Sequence, residues 1–402
     1  MPVLKALQSG HWPSLLAAWL HFEVSFMTWV LLGALGVFIA QDLEMTSTQK
    51  GFMVAVPLLS GALGRVGVGI CADWVGPRRT GLGSMLIVGV PLTWAWLAVS
   101  TFPQLVLLGV FLGVAGTSFA VSLPLASRAY PLAHQGLAMG VAGSGNSGAI
   151  LSLALAPLIA ERMGWHAVFG LMIPVVVLTA AVYGVLARDH HLFNQGAAIR
   201  RDLRFLLREA DMYWFCLLYS VTFGGFVGLS SYLSIFFFDQ YLLSRVEAGW
   251  AAAACAFAGS LSRPIGGHLA DHYGGLRVLS VLLASIAFMT GMAAFLLPLA
   301  FMLGCILLMM VGLGLANGVI FQVVPLWFRG EIGKVSGLIG AAGGIGGFFL
   351  PAMLGMLRDF NGTYRTGFTI FAVLCVLVLP VVRRLGYRSF RTGHDSERSR
   401  EV

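Results

Sequence analysis

The chain alternates long apolar runs with short polar breaks, and it does so twelve times. The runs lie at roughly 14–40, 51–71, 80–100, 103–126, 134–160, 166–187, 212–238, 247–270, 277–297, 300–324, 333–357 and 366–385. About 20 apolar residues suffice to cross a bilayer as a helix. One stretch between runs is long and polar: 188–211, with Arg188, Arg200, Arg201, Arg204 and Arg208. Six runs precede it and six follow. The pattern predicts an all-α membrane protein of twelve transmembrane helices in two six-helix, pseudo-symmetric halves, 1–187 and 212–385. A basic linker at 188–211 joins the halves, and a polar tail follows at 386–402.

The halves are related in sequence. Residues 61–79 read GALGRVGVGICADWVGPRR and 259–277 read GSLSRPIGGHLADHYGGLR. Arg65, Gly69, Asp73 and Gly76 recur as Arg263, Gly267, Asp271 and Gly274, each 198 residues on. A charge near a helix centre in lipid costs roughly 2.5–3.5 kcal/mol, so such a residue normally faces the bundle interior and marks a substrate path. Asp73 is expected at the membrane surface, which sets Arg65 about 12 Å deeper at 1.5 Å per residue. Half the apolar core is about 15 Å. Helical side chains lean toward the helix N-terminus, here toward the midplane. Arg65 and Arg263 should therefore converge there, and two cations without matching acids predict a site for a small anion.

Composition narrows the class. Charged residues are 10%, hydrophobic residues 58% and mean hydropathy +0.86, which excludes a soluble domain. The net charge of +8 sits in loops and tail and is no nucleic-acid footprint. Of the Lys and Arg, 18 fall on the side of the termini and five on the other, Lys50, Arg162, Arg245, Arg358 and Arg365. That bias predicts the cytoplasmic (inner) membrane with both termini cytoplasmic. The first apolar run is too long for a cleavable leader. Cys71, Cys216, Cys255, Cys305 and Cys375 have no paired spacing and read as small core residues. His268, Asp271 and His272 have metal-like spacing, but the first half lacks the histidines. No metal, no cofactor and no enzymatic nucleophile–base pair are expected.

Two glycine runs face each other across the repeat. GVAGSGNSG at 140–148 holds Gly143, Gly145 and Gly148; GAAGGIGGF at 340–348 holds Gly340, Gly343 and Gly346. The first matches a dinucleotide fingerprint formally, but that reading needs a strand before it and a soluble helix after it. Close helix packing is the plainer account. Asn146, an amide beside that flat surface, is not explained by packing. YSVTFGGFVGLSS on span seven supplies Tyr219 and Phe223 on one face, and GTSFAVS on span four supplies Phe119.

With these motifs the chain resembles the nitrate/nitrite porter family of the major facilitator superfamily, over nearly all 402 residues. The resemblance implies the major facilitator fold and nitrate and nitrite as substrates, bound by Arg65, Arg263, Tyr219, Asn146, Phe119 and Phe223. It implies a nitrate signature in Gly143, Gly145, Gly148, Gly340, Gly343 and Gly346, although span eleven lacks the second Asn. It implies that Asp73, Arg78, Arg79, Asp271 and Arg277 form the superfamily's gating loop motif. The chemistry agrees: a guanidinium fork matches a flat oxyanion, and two aromatic rings could sandwich it. A two-cation site repels itself when empty, which suits nitrate/nitrite exchange. Proton symport needs a titratable group, and Glu23 in HFEVSFMTW is the acid within a span. Glu23 is thus a proton-coupling candidate, with a structural hydroxyl partner as the alternative. Another small organic anion is the runner-up substrate. The carrier is expected to work in the lipid bilayer as a monomer.

Overall fold

A computed structural model describes residues 9–131, 134–189, 208–328 and 332–385. The expected linker, except for its two ends, and the tail lie outside the described residues. Among those described there is no strand. Span one is built of Trp12–Trp29, Leu31–Ala34 and Gly36–Asp42; span two is Ser47–Val75 and span three Pro77–Leu97. Span four is Phe102–Gly116 and Phe119–Arg128. Span five is Gln135–Gly143, a 3-10 turn Ser144–Ser147, and Gly148–Met163; span six is Trp165–Leu186. The second half holds Ala210–Tyr241, Arg245–Tyr273, Gly275–Ala293, Leu299–Trp327, Ile332–Asn361 and Arg365–Leu377 as spans seven to twelve.

Ten of the described helices are long and apolar enough to cross a membrane by themselves. The remaining two spans are one and eight. Turns at Val30 and Leu35 break span one, whose first piece carries His21 and Glu23. Span eight carries Arg263, His268, Asp271 and His272. Large apolar side chains such as Leu86, Val90, Val185, Phe288 and Phe301 stand exposed around the bundle, as a lipid-facing surface requires.

The repeat shows in how spans two and eight begin and end. Thr46 and Gln49 close a capping box at the start of span two, and Ser244 and Glu247 close one at the start of span eight. Both spans stop at a glycine with positive φ, Gly76 at 97° and Gly274 at 86°, a backbone that a side chain would strain. The start and the stop each recur 198 residues on. Arg65 and Arg263 therefore stand at the same position along spans two and eight, between matching boundaries.

Span eleven brings the halves together. Its glycines let it lie against span seven, where Gly224 meets Gly346, and against span two, where Gly344 meets Ala62 and Gly51 meets the Pro351 carbonyl. Hydrogen bonds between the halves are unevenly placed. At the end opposite Asp73, Lys50 Nζ pairs with Asp239 at 2.8 Å and Arg245 with Glu161 at 3.1 Å. There too the Asp359 carboxylate accepts from the Ser47 and Thr48 amides at 3.1 and 2.7 Å, capping span two from the other half. Among the described residues, the one other hydrogen bond between halves is made by Arg65.

Candidate functional site

Arg65 is buried, 2% exposed, as the insertion cost demands. Its Nε donates to the Gly116 carbonyl at 3.0 Å and its Nη1 to the Gly340 carbonyl across the interface. Its Nη2 is buried and has no partner among the described residues. An unpartnered buried donor costs about 1–3 kcal/mol, more when charged, unless something supplies an acceptor. Rings surround the guanidinium: Trp29, Phe119 and Phe223 have centroids 5.2, 5.5 and 5.8 Å from Cζ. Such faces suit a cation and exclude water from it.

Arg263 is half-buried. Its Nη2 donates to the Tyr219 hydroxyl at 3.2 Å, and its Cζ lies 5.4 Å from the Phe321 ring centre. Tyr219 stacks on Phe223 with centroids 5.0 Å apart and planes at 7°, and it lies within electrostatic reach of both guanidinium groups. The two cations thus belong to one cluster, joined through Tyr219.

The glycines of span eleven shape this cluster. A Cβ at Gly343 would stand 2.6 Å from the Tyr219 ring and 2.9 Å from Phe223; one at Gly340 would lie 3.3 Å from Phe119. Gly346 lies against the Ser220 carbonyl. Gly145 and Gly148 on span five serve another purpose: they admit the backbone of span one at Phe22 and Glu23. Gly143 faces open space.

Of the residues expected from sequence, Arg65, Arg263, Tyr219, Phe119 and Phe223 come together. Phe119 and Phe223 both flank Arg65. Asn146 is buried in the 3-10 turn of span five and makes no hydrogen bond to the cluster. Glu23 is 6% exposed, and its Oε2 sits 2.6 Å from the Ser147 hydroxyl. The loop-motif residues bond within their own halves. Asp73 pairs with Arg128 at 2.6 Å, Arg78 donates to the Gly184 carbonyl, and Asp271 accepts from Gln322 at 2.7 Å. Arg79 and Arg277 are both exposed on the surface near these turns. Among the described residues no cluster could hold a metal ion.

Sequence reasoning missed Trp29 and Phe321. Trp29 follows Phe22 and Phe26 at helical spacing, and its indole donates to the Pro57 carbonyl at 2.7 Å while Gly61 and Gly116 make room for it. Phe321 touches Phe119, Tyr219 and Arg263. Neither carries a sequence signal that separates it from ordinary core.

Two related helical halves closing on a pair of interior cations, one buried and one half-buried, define a multi-span membrane carrier. The family model described as Major Facilitator Superfamily matches residues 17–324 and 216–401. A protein of Mycobacterium tuberculosis named "Probable nitrate/nitrite transporter NarK2" is 32% identical over 368 residues, 90% of this chain and 93% of that protein. The "Nitrite extrusion protein" of Bacillus subtilis is 27% identical over 95% of this chain and 96% of its own length. The "Probable nitrate/nitrite antiporter NarK1" of Thermus thermophilus is 29% identical over 89% and 88%. A solved bacterial homolog of the human lysosomal transporter Spinster superposes with a TM-score of 0.71 at 18% identity, covering 94% of this chain and 97% of that one, a likeness of fold. The chain belongs to the nitrate/nitrite porter family of the Major Facilitator Superfamily.

Proposed function

We propose that this chain carries nitrate, and nitrite with it, across the cytoplasmic membrane by alternating access. The halves 1–187 and 212–385 rock about a site formed by Arg65 and Arg263, with both termini cytoplasmic. The observation that carries the reading is the buried, unpartnered Nη2 of Arg65, set among aromatic faces beside Tyr219 and the second guanidinium. A flat monoanion there would accept from Nη2 and from Arg263, and the rings would stack on its faces. The names of the relatives support the same substrates. Hydrogen bonds between halves gather at the end opposite Asp73, which suits a carrier closed at its outer end.

Two couplings fit the site. Exchange suits two cations that repel each other when empty. Proton symport is favoured by Glu23, a buried carboxyl with a hydroxyl partner and, among the described residues, no cation paired to it. The asparagine of span five, Asn146, completes the site when the halves close further. Asp73, Arg78, Arg79, Asp271 and Arg277 latch the helices of each half at the inner end.

Counterflow of labelled nitrate in proteoliposomes tests the reading, run with and without internal nitrite and with and without a pH gradient. Saturable nitrate counterflow is expected. Its absence, or stronger competition by small carboxylates than by nitrite, would point to another small organic anion. Full pH-driven accumulation by Glu23→Gln would remove Glu23 from the coupling.

A further inference from the structure

Span five is not a continuous α-helix. Its 3-10 turn, Ser144–Ser147, carries Asn146 and ends on a hydroxyl with two acceptors in reach. Ser147 Oγ is 2.6 Å from Glu23 Oε2 and 2.8 Å from the Ser144 carbonyl oxygen. A serine hydroxyl has one proton to donate. It can satisfy the carboxylate or the turn, not both.

From this geometry we infer that Ser147 is the positioning residue through which protonation of Glu23 sets nitrate affinity. The inference rests on the nitrate reading above. When Glu23 is ionised, the Ser147 hydroxyl donates to the carboxylate and the Ser144 carbonyl loses its bond. When Glu23 takes a proton, its own O–H donates to Ser147 Oγ, and the Ser147 proton turns to the Ser144 carbonyl. The turn that holds Asn146 is then closed on itself. The same proton removes a negative charge from the span that borders the anion site: Phe22, next to Glu23 in span one, packs on Phe119 (5.7 Å), and Phe119 lies 5.5 Å from the Arg65 guanidinium. Both effects raise nitrate affinity on protonation, and by linkage nitrate raises proton affinity equally.

The other ionisable groups on the spans around Glu23 either have partners of their own or sit at the span ends. On span one itself, His21 turns into the first half, 2.8 Å from Ser122 Oγ and 3.4 Å from Ser84 Oγ. Span four brings Arg128, paired with Asp73. Span six brings His166, bonded to the Val99 carbonyl, and Tyr183, bonded to the Pro77 carbonyl. Span five brings Glu161, paired with Arg245, Arg162 at the same end, and His134 at its opposite end. Spans two and eight bring the site cations Arg65 and Arg263.

The test reads the nitrate KM of counterflow, with no pH gradient, at about pH 8 and about pH 6, where a proton on the carboxyl is respectively scarcer and more available. In the unaltered protein the KM ratio is expected to be about five or more, the worth of one hydrogen bond near 1 kcal/mol. Ser147→Ala should bring the ratio to about one, and Ser147→Thr should restore it. Glu23→Gln should also give about one, and it carries the test if Ser147→Ala does not assemble. His21→Asn should leave the ratio high. A ratio of one in the unaltered protein with nitrate counterflow intact would overturn the inference, as would a high ratio kept by Ser147→Ala or by Glu23→Gln. Loss of nitrate counterflow from the unaltered protein would instead sink the nitrate reading itself.

Discussion

Arg65 is held by the shape of its side chain as much as by its charge. Nε and Nη1 are spent on the carbonyls of Gly116 and Gly340, on opposite halves, and Nη2 remains for a ligand. A lysine keeps the charge but has one compact ammonium and no fork. Arg65→Lys should therefore raise the nitrate KM of counterflow roughly ten- to hundredfold, the loss of one hydrogen bond to a charged group at about 1.5–3 kcal/mol. An unaltered KM would mean that the fork does not touch the ion. The two guanidinium groups were legible in the sequence because a charge in an apolar run stands out. Trp29 and Phe321 were not, because an aromatic in an apolar run looks like any core residue until the fold sets it beside a cation.

At the scale of elements, the spans could be read from length and hydropathy, and their interruptions could not. Spans one and four break at Val30, Leu35 and Thr117 without a proline or a polar run to announce it. The breaks answer to packing instead: Gly33 sits on the Ser231 backbone, and Gly64 on Thr117. The glycines of span eleven were legible as a packing face, but not that Gly343 shapes the site. A methyl there would overlap the Tyr219 ring, which would have to move and release Arg263. Gly343→Ala should weaken nitrate binding several-fold, as overpacking of about 1–3 kcal/mol transmits to the ring. Gly337→Ala, on the same helix with open space at its Cβ, is the control and should behave as the unaltered chain. Equal KM values for the two variants would show that the Tyr219 position does not matter.

At the scale of the whole molecule, the uneven distribution of hydrogen bonds between the halves makes the end opposite Asp73 a lock. Lys50 and Asp239 are its most sheltered pair, with side chains 16% and 13% exposed, and the Tyr364 hydroxyl donates to the same carboxylate. Surface pairs contribute little, but a sheltered lysine left without its partner is costly. Asp239→Asn should thus destabilise the closed end and raise the population open there about tenfold, for a loss near 1.4 kcal/mol. Ser231 reports it: it is buried against span one at Gly33 and is uncovered only when spans one and seven part at this end. In a chain whose five native cysteines are replaced, Ser231→Cys should react with a polar thiol reagent in detergent about tenfold faster when Asp239→Asn is added. Exchanging the charges, Lys50→Asp with Asp239→Lys, should slow the reaction again, since the pair is remade with its ends reversed. If the thiol reacts at one rate in all three backgrounds, the pair does not hold the halves closed, and the lock must rest on the other contacts at this end, Asp359 at the N-terminus of span two and Arg245 with Glu161.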